Sequence, residues 1–133
     1  MLFRRLFRTR KSLSAALEEE NLAPEEFAQS IEETCRQGLG LSFEILAGMS
    51  PGDLADFCRS GGGTWASRMT LAAYLLQCDA HLARRQGYEA RAQSAAREAL
   101  YLYEQLNRDS AVPEEYGIEE KRGDIIRFLQ SGE

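Results

Sequence analysis

Residues 64–107 read TWASRMTLAAYLLQCDAHLARRQGYEARAQSAAREALYLYEQLN, and this stretch decides the fold. Trp65, Met69, Ala72, Leu76, Ala80 and Ala83 recur at steps of three and four, which puts them on one helical face. Leu71, Leu75, Cys78 and Leu82 form a second apolar stripe beside it, leaving Arg68, Gln77, Asp79 and Arg84 for water. A helix with two apolar stripes needs cover from two sides, so this one is expected at the centre. Thr64 is its expected N-cap, a hydroxyl placed to accept from a free N–H of the first turn. Gly87 suits the left-handed position that ends such a helix, with Arg84 and Arg85 set against its negative end.

Beyond the turn Gln86-Gly87-Tyr88 a second helix carries Tyr88, Ala92, Ala95, Ala99, Leu102 and Leu106, flanked by Ala96, Leu100 and Tyr103. Its alanines let two backbones approach toward the lower end of the ~8–10 Å interaxial range. The pattern predicts an all-α fold, a compact bundle of five to six helices built on this antiparallel hairpin. Gly87-Tyr88-Glu89-Ala90, followed by Ala92, Ala96 and Ala99-Leu100, resembles the second half of a tetratricopeptide repeat. Ala80 and Ala83 stand where that repeat usually has a glycine and an aromatic, and no second copy follows at a period of about 34 residues. The resemblance implies one TPR-like unit, not an array.

The remaining helices are signalled by caps. Leu13, Ala16 and Leu17 lead into the acid run Glu18-Glu19-Glu20, which reads as a solvated face because no His or Asp stands at ligand spacing beside it. Pro24 with Glu25 and Glu26 opens a helix whose inner face is Phe27, Ile31 and Thr34-Cys35, ended by Gly38-Leu39-Gly40. A short helix over Leu41–Met49 follows, then Ser50-Pro51-Gly52-Asp53 caps another that buries Leu54, Phe57 and Cys58. Gly61-Gly62-Gly63 reads as a joint; without a preceding strand or a following Lys-Ser/Thr it is no phosphate cradle. Val112-Pro113-Glu114-Glu115 reopens a helix, and the last one, from about Gly117, places Ile118, Arg122, Ile125, Ile126 and Leu129 on one side, with Phe128 on the flank.

Gly40-Leu41-Ser42-Phe43-Glu44-Ile45-Leu46, Ser50-Pro51 through Asp56-Phe57, Gly62-Gly63 and the hairpin together resemble a group of small uncharacterised bacterial proteins with a TPR-like all-α fold. The likeness covers roughly residues 25–130. It implies a fold and a bacterial, cytoplasmic setting, and it carries no activity onto any residue.

Charge divides the chain in two. Residues 1–11 hold five basic groups and no acid, which leaves 11 basic residues against all 21 acids and makes the body −10. An acidic body argues against nucleic acid as a partner, since neutralised phosphate supplies that affinity. We therefore divide the chain into a basic amphipathic segment, 1–11, and a single all-α domain, 12–133. In the segment, Leu2, Phe3, Leu6 and Phe7 line up opposite Arg4, Arg5 and Arg8 if helical, which suits docking on a partner, on the domain, or weakly on a membrane surface. No apolar run of signal-peptide or transmembrane length appears.

Catalytic signatures are missing from the pattern. His81, the single histidine, has no evident Ser or Cys nucleophile and reads as a partly exposed or hydrogen-bonded structural residue. Cys35, Cys58 and Cys78 fall on apolar faces without a CxxC pair, which points to reduced, buried thiols in a cytoplasmic protein. Tyr74, Tyr88 and Tyr103 read as core or groove lining, and Tyr101, on the polar side, as a partner contact. The sequence thus favours a protein–protein interaction or scaffold module, self-association included. It leads us to expect no enzyme activity, catalytic residue, cofactor or metal. The alternative is a small enzyme or ligand carrier using His81 with nearby carboxylates.

Overall fold

A computed structural model describes residues 21, 23–109, 112 and 116–131. Its elements are Pro24–Leu39 (α1), Phe43–Gly48 (α2), Pro51–Arg59 (α3), Trp65–Arg85 (α4), Glu89–Asn107 (α5) and Ile118–Ser131 (α6), with a 3-10 turn at Gly62–Thr64. No strand occurs among the described residues. Leu2, Phe3, Arg4, Arg5, Leu6, Phe7 and Arg8 lie outside them, as do the acid run at Glu18–Glu20 and Pro113, Glu114 and Glu115.

Burial of α4 organises the bundle. Fourteen of its 21 residues are buried, including every position from Ala72 to Ala83. The three-residue turn folds α5 back along it, α1 and α3 cover further sides, and α6 packs on α5. The expected central, doubly covered helix is therefore present. α1 supplies Phe27, Ile31, Cys35 and Leu39 at regular steps of four, while Leu46 comes from α2 and Leu54, Ala55 and Cys58 from α3. Ala92, Ala96 and Ala99 on α5 have no exposed surface. Gly38 belongs to the same close packing, since a Cβ there would run into the Leu71 side chain.

Local chemistry sets most helix ends as expected. Pro24 and Pro51 stand in the first turns of α1 and α3, and the Ser50 hydroxyl accepts from the Asp53 N–H; Ser42, expected inside the short helix, instead caps α2 by accepting from the Ile45 N–H. At the hairpin turn Gly87 has φ +85°, Gly87 N–H bonds to Arg84 O, and Tyr88 N–H reaches Ala83 O at 2.9 Å. These are the two reversed bonds of a Schellman motif. Tyr88 is thus the residue beyond the cap, 58 % exposed, and not a member of the apolar stripe.

Further expectations are corrected. Thr64 does not cap α4: the 3-10 turn runs straight into the helix, Trp65 N–H bonds to Gly62 O, and the Thr64 hydroxyl donates to Gly61 O. Gln77 and Asp79 do not face water; they are 1 % and 4 % exposed because neighbours cover both flanks of α4. Arg84 is half-buried, for it reaches across to α6. Phe128 belongs to the core at 6 % exposure, with Ile126 and Leu129 half-buried, because α6 turns its 118–125–128 stripe inward and the Phe128 ring meets His81 and Arg84.

An Ala99→Leu substitution tests the hairpin contact. Three added carbons in a fully covered position should cost about 1–3 kcal/mol in a urea or thermal melt. Stability unchanged within error would show that the alanine face is not packed.

Candidate functional site

One open cavity of about 560 Å³ lies where α1 and α2 meet the hairpin. α1 contributes Ala28, Ile31 and Glu32, and α2 contributes Phe43, Glu44, Ala47 and Gly48. Leu76 and Asp79 come from α4, and Arg91, Ser94, Ala95 and Glu98 from α5. On α5 those four stand at i, i+3, i+4 and i+7, a straight stripe of two helical turns. Small residues form much of the lining, together with apolar Ile31, Phe43 and Leu76 and four carboxylates.

Those carboxylates differ in how they are satisfied. Asp79 is buried and gripped by the Arg91 guanidinium through both Nε and Nη2, an arrangement that half-exposed Arg91 holds from α5. Glu32 accepts the Phe43 N–H at 2.9 Å and pairs with Arg36 at 2.7 Å; the backbone bond at the start of α2 is the main cause that lowers its carboxyl below the ordinary value. Glu44 is exposed. Glu98 is half-buried, yet its Oε1 is shut off from solvent and no donor reaches it. Burial alone pushes that carboxyl up to about 7.

A second polar cluster lies on the other flank of α4. Tyr103 Oη donates to Gln77 Oε1 at 2.7 Å, and Gln77 Nε2 donates to Asp124 at 3.2 Å, so one amide joins α4, α5 and α6. Arg84 lies 3.5 Å above the Phe128 ring, donates to Phe128 O and Ser131 Oγ, and grips Glu89 with two bonds. His81 packs beside it, its ring centre 4.5 Å from that of Phe128 and its Nε2 without a partner. Burial lowers its pKa to about 4. His81 is therefore neither partly exposed nor hydrogen-bonded through Nε2, and it does not line the cavity.

Tyr101 is 37 % exposed and continues the Ser94–Glu98 stripe one turn further along α5. Cys35, Cys58 and Cys78 are buried and free, as the apolar spacing predicts. Desolvation pushes the first two up to about 11 and the third well above the ordinary thiol value, so all three stay protonated at neutral pH. Among the described residues no group of three or more His, Cys, Asp or Glu side chains could hold a metal, and no helix is long and apolar enough to cross a membrane.

Sequence reasoning missed Asp79, Arg91 and Glu98 as site residues. Comparison with protein families, with curated proteins and with solved structures finds no match to this chain.

Two of the shifted groups, His81 and Glu98, set opposing pH dependences between about pH 4 and 7. His81 is lowered on folding, so the unfolded chain binds more protons between about 4 and 6.5, and stability rises with pH across that window. The shift corresponds to roughly 3 kcal/mol over the window. Glu98 is raised from 4.5 to about 7, so the folded chain binds more protons there and stability falls as pH rises between those values. Its effect is smaller because solvent screens a half-exposed group. In urea melts across this range, Glu98→Gln should steepen the gain in stability with pH, and His81→Leu should turn it into a decline. Parallel profiles for both variants and the parent would contradict these assignments.

Proposed function

We propose that this chain is a TPR-like helical interaction module that works by binding a protein partner through the groove between α1–α2 and the hairpin. One observation carries the reading: the 560 Å³ cavity is open, lined by small and apolar side chains among charged ones, and walled by α5 residues that repeat at helical spacing. That is the form in which helical proteins receive an amphipathic helix. His81 lies outside this concavity, buried against Phe128. Three buried thiols that stay protonated suit a reducing compartment, so we place the module in the cytoplasm. Self-association through the same groove is the variant in which the partner is a second copy. Residues 1–11, rich in leucine, phenylalanine and arginine, are a second contact segment in this reading, extending to weak membrane-surface contact.

Ser94 is exposed on the groove wall, which makes Ser94→Trp a blocking substitution that leaves the core alone. Affinity capture from the native lysate, with concentration-dependent light scattering alongside, should show a partner or a dimer retained by the parent and lost by Ser94→Trp. Gln130→Trp, on the exposed side of α6, should keep it. An identical set of partners for all three proteins would contradict the proposal.

A further inference from the structure

The charges around the groove do not balance, and the imbalance is local. Asp79 is matched by Arg91, and Glu32 by Arg36 and the Phe43 N–H. Glu98 is left with Oε1 enclosed and unbonded, and burial is the sole cause that shifts its carboxyl. Arg91, two turns away on the same helix, is committed to Asp79. A carboxylate half covered without a matching cation is costly to ionise, and a cation brought by an incoming molecule to the part of Glu98 that still faces the cavity offsets that cost.

Three features define the donor. It must reach past an apolar wall, so it needs a hydrocarbon stem. Phe43 lines the same cavity, and a planar, weakly hydrated guanidinium can use an aromatic face as well as a carboxylate, which an ammonium does less well. The exposed Ala28, Ala47, Gly48 and Ser94 carry so little side chain that a polypeptide backbone can come close to the rim. The α5 stripe from Arg91 to Glu98 runs about 10 Å, the length of two turns of a docked helix. Resting on the interaction-module reading, we propose that the groove receives an arginine from an amphipathic helical segment of a partner protein, its guanidinium set against Glu98 and Phe43 and its stem against Ile31 and Leu76.

The test uses the full chain, NMR titration and defined probes. n-Butylguanidinium stands in for the arginine head and stem, and neutral n-butylurea is its near-isostere. Butylguanidinium should give saturable shifts centred on Glu98, Ser94 and Ala47, with butylurea about tenfold weaker, as expected for loss of one charge-assisted pair. Glu98→Gln should weaken butylguanidinium by a similar factor and leave butylurea unchanged. Affinity should be greater near pH 8 than near pH 5.5, because the proton must leave Glu98 for the pair to form. A capped alanine-rich helical peptide with one arginine should bind the same site more tightly than butylguanidinium, and its citrulline counterpart should not.

Equal binding of the two small probes, or an unchanged affinity in Glu98→Gln, would overturn the inference. Binding of butylguanidinium without the peptide would also overturn it, since the groove would then be a site for small organic cations. If no cation binds but Ser94→Trp still loses its partner, the module reading stands and the arginine assignment alone falls. If the cation and peptide bind while Ser94→Trp loses nothing from the lysate, the chemistry stands and the module reading falls.

Discussion

A helix covered on nearly every side must find partners for its own polar groups, and that constraint on α4 shapes the rest of the molecule. Between Met69 and Ala83 it buries Thr70, Gln77, Asp79 and His81. Thr70 is satisfied within the helix, donating to Ala66 O at 2.7 Å. The others look outward to different elements: Gln77 to Tyr103 and Asp124, Asp79 to Arg91, His81 to the Phe128 ring. Apolar burial drives the bundle together but is non-directional. Buried polar groups are directional and costly when unpaired, so they select among the ways in which α5 and α6 could lie against α4.

The same constraint divides the surface around α4. On one flank Gln77, Arg84 and His81 tie the hairpin to α6, where Arg84 bonds the Phe128 carbonyl near that helix's end. On the other flank Asp79 and Arg91 join the two hairpin helices, and α1 and α2 stand clear of them enough to leave the cavity. The ties to α6 and the open cavity thus lie on opposite sides of one helix. Glu98 marks the difference, for it sits where packing covers a carboxylate without supplying a cation.

The hairpin, its Schellman turn and the Ser50 cap were legible in the sequence because each rests on residues within a turn or two of one another. Steps of three and four from Trp65 to Ala83, and Gly87 after Arg85, need no tertiary context. Gln77 and Asp79 were misread as water-facing, although the sequence held a warning. Residues two apart on a helix point about 200° apart, so no single solvent face could take both. The cap at Thr64 failed because Gly62–Thr64 adopts a 3-10 turn, a choice that depends on how the loop meets α4. Phe128 was misplaced because α6 could have turned either of two apolar stripes inward, and the choice rests on tertiary contacts such as those of Phe128 with His81 and Arg84. The groove was illegible for a similar reason: Arg91, Ser94 and Glu98 read as an ordinary polar stripe until α1 and α2 are brought across them.

The central claim, that polar groups on the buried helix fix the placement of its neighbours, is tested most directly by a double-mutant cycle between Gln77 and Tyr103. Stability is measured by urea denaturation for Gln77→Leu, Tyr103→Phe and the pair. Each single change strands a buried partner, and the double change removes both. The account therefore predicts a double variant markedly more stable than the sum of the single losses implies, with a coupling of about 1–3 kcal/mol. Additive losses, with coupling near zero, would mean that the apolar contacts alone place these helices, and would contradict it.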